Sequence, residues 1–158
     1  MKLSRYLLLA AVVAATAATA LADPPSGTRT ATFPPVGLAS SETAQVNLVN
    51  LATNPSNSSN AASCTGSVTF LDPTGAAIGK ATTFTVASGQ IVSVKLPYSA
   101  TAASARTEFR ASVSLNVGEG AAACSLQSTL ETYDTATGVT HVFLSGPQAI
   151  VQPFFGRD

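Results

Sequence analysis

The chain has 158 residues, of which 46% are hydrophobic and only 10% are charged, with two cysteines, one histidine and no tryptophan. Eight basic residues balance eight acidic ones, and the basic residues form no cluster. Because nucleic acids and anionic membranes attract a concentrated positive face, this composition argues against both as partners.

The first 22 residues are typical of a bacterial secretion signal. Lys2 and Arg5 precede the apolar run YLLLAAVVAATAATALA, and Ala20 and Ala22 form an A-x-A cleavage pattern before Asp23. The run is short, ends in small residues and lacks a positive flank on its far side, which favours cleavage over a membrane anchor. We expect cleavage between Ala22 and Asp23, and a secreted or periplasmic mature chain of 136 residues with six basic and eight acidic side chains and no transmembrane segment.

The mature chain alternates apolar and polar residues over short runs, which predicts antiparallel strands with one wet face. In residues 43–51 the pattern places Val46 on the apolar face and Gln45 and Asn47 on the opposite, wet face, and in 107–115 it places Val113 on the apolar face. No long segment keeps the spacing of an amphipathic helix. The segment FPPVGL near Phe33 is assigned to a sheet edge, since its two prolines lack N–H donors. The predicted strands are 43–51, 63–71, 82–86, 91–96, 107–115 and 123–133, and we expect 82–86 and 91–96 to form a hairpin across residues 87–90.

The loops carry recognisable turn residues. In LDPTGAAIG, Asp72 can start a turn, Pro73 has its φ fixed and Gly75 can take a positive φ. A metal or phosphate site there would need further oxygens or a glycine-rich cradle, so we predict a turn. Residues 50–63 form an Asn/Ser-rich loop, in which Asn57 fits the glycosylation pattern, although the bacterial signal argues against modification.

Cys64 and Cys124 both fall on the apolar side of their predicted strands. In an oxidising compartment, an even pair without a C-x-x-C motif favours one structural disulfide over a redox or nucleophilic thiol. The closed loop is long, and the chain-entropy model assigns such a bond roughly 4 kcal/mol of stabilisation.

About seven or eight strands and one disulfide between sheets predict an all-β antiparallel sandwich, forming a single domain over residues 23–158 with an irregular tail from about residue 146. The segment FPPVGLASSETAQVNLVNL, the Cys64 strand and the DPTG turn are similar to small secreted bacterial proteins of unassigned function. The chain resembles the immunoglobulin-like domains of exported bacterial proteins, which implies that fold. It departs from antibody domains, because no tryptophan can pack on the disulfide and no tyrosine corner is evident. The resemblance brings no catalytic residues.

The stretch LETYDTATGVTHVFL, residues 130–144, gathers Glu131, Tyr133, Asp134 and the single histidine, His141. Asp134 and Gly138 mark a hairpin turn, in which a type I turn is followed by a residue with positive φ. The strand register on either side of this turn determines whether the polar residues meet.

Two registers of this hairpin stay open. A four-residue loop, 135–138, pairs Leu130 with Phe143 and Thr132 with His141, whereas a five-residue loop places Glu131 across from His141. We favour the four-residue loop, because it stacks Leu130 on Phe143 inside the domain. Since neither register brings in a nucleophile or a second ligand, the polar cluster is predicted to be structural.

Metal and hydrolase chemistry fit these residues poorly. Copper and zinc sites need more histidines or free thiolates, and calcium needs several clustered oxygens. A Ser-His-Asp triad would have only His141 as its base, and no G-x-S-x-G motif is present. We therefore expect no metal, no cofactor and no enzymatic activity.

The expected function is a structural or surface-interaction role, toward an unknown protein or cell-surface partner. Two alternatives stay open. In a fimbrial or filament-like subunit, TRTATF or the tail AIVQPFFGRD would add a strand to a neighbour's sheet, giving self-assembly through edge strands. A weak carbohydrate-binding module would instead stack sugars on exposed aromatic side chains, for which the candidates are Tyr98, Tyr133, Phe154 and Phe155.

Overall fold

The computed structural model describes residues 27–52, 63–117, 124–146 and 149–151. Within these ranges the chain forms ten β-strands and one short 3-10 helix, Tyr98–Ala100. The strands are β1 (Gly27–Thr32), β2 (Val36–Leu38), β3 (Glu42–Asn50), β4 (Ser63–Leu71), β5 (Thr82–Ala87), β6 (Ile91–Pro97), β7 (Thr107–Val117), β8 (Cys124–Asp134), β9 (Thr140–Ser145) and β10 (Ala149–Val151).

The strands form two antiparallel sheets of five strands each. In sheet I the order is β1-β7-β4-β5, and β2 also pairs with β7. In sheet II the order is β10-β8-β3-β6, and β9 also pairs with β8. The all-β antiparallel architecture predicted from the alternating pattern is therefore confirmed.

The prediction of seven or eight strands was too low, because an edge strand in each sheet is broken in two. In sheet I, β1 and β2 both pair with β7, and between them Pro34 and Pro35 have no N–H groups with which to continue the ladder. In sheet II, β9 and β10 both pair with β8 and flank Gly146. Each sheet is thus four strand positions wide.

One hydrophobic core lies between the two sheets. The predicted inner faces are buried, including Val46 of β3 and Val113 of β7. A disulfide joins Cys64 of β4 to Cys124 of β8, with 5.3 Å between their Cα atoms, and so links sheet I to sheet II. Both cysteines are almost fully buried, which agrees with their predicted place on the apolar side of their strands.

The predicted hairpin between residues 82–86 and 91–96 was wrong. β5 pairs with β4 in sheet I, whereas β6 pairs with β3 in sheet II. The intervening turn does close, since Gln90 N–H donates to the carbonyl of Ala87 at 3.0 Å, but it carries the chain from one sheet to the other. This crossing follows from burial: Phe84 and Val94 both point into the shared core from opposite sheets.

The two segments considered for strand addition contribute strands to their own domain. β1 contains most of TRTATF and pairs with β7, and Ala149–Val151 of the tail pairs with β8 at Leu126 to Cys124. The tail was predicted to be irregular from about residue 146. Within it, Ala149–Val151 instead forms β10, which completes the broken edge of sheet II. The predicted cleavage site at Ala22 and Asp23, the loop residue Asn57, and Phe154 and Phe155 lie outside the described residues.

Candidate functional site

The polar stretch 130–144 is divided among three places in the fold. Glu131 and Tyr133 lie on the outer face of sheet II, since they alternate along β8 with the buried Leu130 and Thr132. Asp134 begins the β8–β9 turn, and His141 lies in β9. These four residues are close together in the sequence but do not form one cluster in the structure.

The β8–β9 hairpin contains a β-bulge that neither predicted register included. Near the turn, Tyr133 pairs with Thr140, and Asp134 N–H donates to the carbonyl of Val139 at 2.9 Å, as in the favoured four-residue loop. The register then shifts, so that Thr132 pairs with Val142 and the extra residue is His141. A bulge of this kind sets two residues against one on the partner strand and redirects a side chain.

This shift overturns the predicted pairing of Phe143 with Leu130. Leu130 pairs with Leu144, and Phe143 pairs instead with Glu131. Phe143 is 59% exposed and points outward, rather than stacking on Leu130 inside the domain.

His141 bonds to Glu42, a partner that no local sequence pattern indicates. The imidazole Nδ1 lies 2.5 Å from Glu42 Oε1, and the other carboxylate oxygen accepts a hydrogen bond from Ala39 N–H at 2.7 Å. Burial raises the pKa of Glu42, but the bonds from Ala39 and His141, with the Arg106 charge nearby, outweigh it and leave the pKa below its ordinary value. The pair anchors β9 to the start of β3.

Asp72 and Asp134 both close turns through their carboxylates. Asp72 Oδ1 accepts hydrogen bonds from the hydroxyl and N–H of Thr74 and from Ala76 N–H, and Asp134 Oδ1 does the same for Thr137 and Ala136. These bonds, chiefly those from Thr74 and Thr137 respectively, hold the pKa of each carboxyl below its usual range.

The glycines of both turns have positive φ, 89° at Gly75 and 74° at Gly138. Asp72, Pro73 and Gly75 lie in the β4–β5 connection, and Asp134 and Gly138 in the β8–β9 turn. All five residues that were predicted to form turns therefore lie in turns.

The outer face of sheet II carries a connected set of polar side chains. Two rows of side chains run straight across its strands β6, β3, β8 and β9. We call these rows, together with Ile91 and Tyr133 beside them, the sheet II face. The rows are Lys95–Gln45–Glu131–Phe143 and Ser93–Asn47–Thr129–Ser145. From ordinary strand spacings the two rows cover about 14 Å across the strands and lie about 7 Å apart.

Side chains of the sheet II face are bonded into one network. Gln45 Nε2 donates to Asn47 Oδ1 at 2.7 Å and to Glu131 Oε1 at 3.1 Å. Asn47 Nδ2 donates to the same Glu131 oxygen at 2.9 Å, and the Ser93 hydroxyl donates to Asn47 Oδ1 at 2.6 Å. The two amide groups and the carboxylate are therefore fixed in orientation.

The network leaves specific polar atoms open to solvent. Within the described part of the chain, no residue bonds to Glu131 Oε2 or to Gln45 Oε1. Asn47 Nδ2 also uses only one of its two hydrogens in the network. An arriving ligand can thus accept one hydrogen bond and donate two without breaking any that exist.

Exposed apolar side chains lie at opposite corners of this face. Phe143 on β9 and Ile91 on β6 are 59% and 68% exposed. Tyr133 lies beside the rows, and the centre of its ring is 6.0 Å from the Lys95 ammonium, within cation–π range. Tyr133, which was predicted as a stacking candidate, is half-buried and borders the network. The other described candidate, Tyr98, donates a hydrogen bond from its hydroxyl to the carbonyl of Ala103 at 3.0 Å.

The sequence indicated part of this face but not its assembly. Gln45 and Asn47 were assigned to the wet side of their strand, and the structure places them there. Their contact with Glu131 spans 86 and 84 residues, and Ser93 comes from a strand whose partner was predicted incorrectly. Only the order of strands in the sheet brings the four together.

A groove of about 390 Å³ at the end of the domain is the second candidate. It is lined by Glu42 and Thr43, by Tyr98 and by Thr135, among other residues. The Glu42 carboxylate already bonds to Ala39 and His141, and the hydroxyls of Thr43 and Thr135 bond to each other, so these groups are engaged within the domain.

The described ranges contain no group of three or more His, Cys, Asp or Glu side chains placed to hold a metal ion. No helix within them is long and apolar enough to cross a membrane. Comparisons with protein-family models, with curated proteins and with solved structures each find no match to this chain.

Proposed function

We propose that this chain is an exported, non-catalytic interaction domain with an immunoglobulin-like sandwich fold, and that it binds its partner through the sheet II face. The observation that carries the proposal is the network of Gln45, Asn47 and Glu131, which is fixed in orientation and yet leaves hydrogen-bonding atoms open. Binding sites held rigid before binding lose little side-chain entropy when the ligand arrives.

Export is supported by two independent features. The first 22 residues have the charge, apolar run and small-residue pattern of a cleaved signal. The Cys64–Cys124 disulfide is the kind of bond that persists in an oxidising compartment. Its position between two sheets, each four strand positions wide, also supports the immunoglobulin-like proposal.

A non-catalytic role is supported by what the acidic side chains do. Asp72 and Asp134 cap turns, Glu42 bonds to His141, and Glu131 orients two amides. The only histidine in the chain is thus committed to a carboxylate at the end of the sandwich. Each of these groups has a structural partner that accounts for its position.

Site-specific photo-crosslinking in the cells that export the protein tests this proposal. A benzophenone amino acid would replace Phe143 on the sheet II face, and in a matched control it would replace Thr85, which is exposed on the outer face of sheet I. We expect adducts from position 143 that position 85 does not give. Equal adduct patterns from both positions, or none from either, would contradict an interaction through this face.

A further inference from the structure

We propose that the ligand of the sheet II face is a neutral, hydroxyl-rich saccharide chain. This inference rests on the proposed function and names the class of ligand that the face would bind.

The charge of the face favours an uncharged ligand. Its two rows hold one ammonium, Lys95, and one carboxylate, Glu131, while the remaining members are uncharged. A face with no net charge gives no Coulombic advantage to nucleic acid, to a phosphate-bearing polymer or to an acidic polysaccharide. Recognition here has to come from hydrogen bonds and stacking.

The open hydrogen-bonding atoms suit sugar hydroxyls. Each hydroxyl donates one hydrogen and also accepts, so neighbouring hydroxyls on a sugar ring can donate to Glu131 Oε2 and Gln45 Oε1 while one accepts from Asn47 Nδ2. Gln45 and Glu131 are direct cross-strand partners, so both open oxygens belong to the same row of the sheet II face. A hydrogen bond to an ionised acceptor such as Glu131 is among the stronger kinds.

An aromatic ring stands beside these atoms. Phe143 pairs with Glu131 across β8 and β9, and more than half of its surface is exposed. The face of an aromatic ring carries partial negative charge and attracts polarised C–H groups, which line one side of a pyranose ring. A sugar bonded to Glu131 can therefore pack its C–H side on Phe143.

The arrangement of apolar groups favours a saccharide over a protein partner. Protein interfaces concentrate apolar anchors at a buried centre with a polar rim around them. Here the order is reversed, because Phe143 and Ile91 occupy opposite corners and the centre is the network around Asn47. With about 14 Å across its strands, the face is long enough for roughly three sugar rings, using the strand spacing of a sheet.

Calorimetry and amide chemical-shift mapping on the mature protein would test this inference. The probes are four neutral hexaoses, built from β-1,4-linked glucose, N-acetylglucosamine, xylose or mannose. We expect at least one to bind, with the shift changes centred on Gln45, Asn47 and Glu131. Phe143→Ala should weaken that binding about tenfold, as expected for loss of a stacking ring, whereas the control Thr85→Ala on sheet I should leave it unchanged.

Three results would overturn the inference. The first is that no hexaose at millimolar concentration gives heat or shift changes. The second is that the shift changes are confined to sheet I. The third is that hexagalacturonate binds more tightly than any neutral hexaose. Equal thermal unfolding of wild type and Phe143→Ala would show that a loss of binding is not a loss of folding. If the hexaoses fail while Phe143 crosslinks to a protein, the ligand class is wrong and the proposed function stands; if crosslinking also fails, both are wrong.

Discussion

His141 Nδ1 lies 2.5 Å from Glu42 Oε1, although the two residues are 99 positions apart and β8 separates their strands in the sheet. The β-bulge makes this contact, because it sets His141 and Val142 together opposite Thr132. The Glu42 side chain is only 10% exposed, against 46% for His141. The contact thus holds a nearly buried carboxylate that also bonds to the start of its own turn.

Replacing Glu42 by glutamine should make the domain less sensitive to acid. The pKa of Glu42 is lowered in the folded state, so below its ordinary value the unfolded state binds more protons. The stabilisation is therefore complete above the unfolded pKa and is lost as the pH falls through the folded pKa. Urea unfolding of wild type at a series of pH values below about 5 should show this loss, and Glu42→Gln should reduce it.

Glu108→Gln provides the matched control, because Glu108 is exposed on β7. It should leave the acid dependence of the unfolding free energy as in wild type. An unchanged acid dependence in Glu42→Gln would show that the Glu42 carboxylate, with its bonds to Ala39 and His141, does not contribute.

The strands themselves were predictable because apolar and polar residues alternate along a strand that has one buried face. In β7 the apolar residues Phe109 and Val113 occur every second position, and this is the face that the structure buries. Pairing partners were less predictable, since a short turn such as residues 87–90 suits a hairpin and also a crossing between sheets. Here the crossing wins, because Phe84 and Val94 can then bury against the same core from both sides.

The candidate site depended on information that local patterns lack. A bulge adds one residue without changing the composition of the strand, so the pairing of Phe143 with Glu131 could not be obtained from turn length alone. The sequence did place Gln45 and Asn47 on a wet face. It could not show that β8 and β6 lie on either side of them.

Thr132→Val should stabilise the domain by about 1 kcal/mol. Thr132 is fully buried, and among the described residues its hydroxyl has no hydrogen-bond partner. An unpaired buried hydroxyl costs free energy, and valine has nearly the same shape without it. Thermal unfolding should show a raised Tm, while Thr129→Val, on the outer face of the same strand, should change it much less. A lowered Tm in Thr132→Val would indicate that the hydroxyl is hydrogen-bonded.

Gly146→Ala should destabilise the domain by about 1–3 kcal/mol, the range of an overpacked site. Gly146 lies where the broken edge of sheet II meets Phe33 from the broken edge of sheet I. A Cβ at this position would lie 2.6 Å from Phe33 Cζ and 2.5 Å from Ser128 Oγ. Because Phe33 is buried, its ring has little room to move away.

A double-mutant cycle in urea separates this clash from a general backbone effect. Phe33→Leu removes the ring atoms that the new methyl group would meet, so the combined variant should lose less stability than the sum of the two single changes. Strict additivity would show that the two broken edges do not press on each other.

Removing the disulfide should cost about 4 kcal/mol of unfolding free energy, as the chain-entropy model gives for a closed loop of this length. Cys64 and Cys124 are 60 residues apart, and their bond ties β4 of sheet I to β8 of sheet II through the core. The double variant Cys64→Ala/Cys124→Ala and the reduced wild-type protein should both show a lower urea midpoint. Since the bond acts mainly on the unfolded chain, the double variant should keep the wild-type chemical shifts along the Gln45–Glu131 pairing on the outer face of sheet II. Large shift changes there would instead mean that the disulfide sets the geometry of the folded sheet.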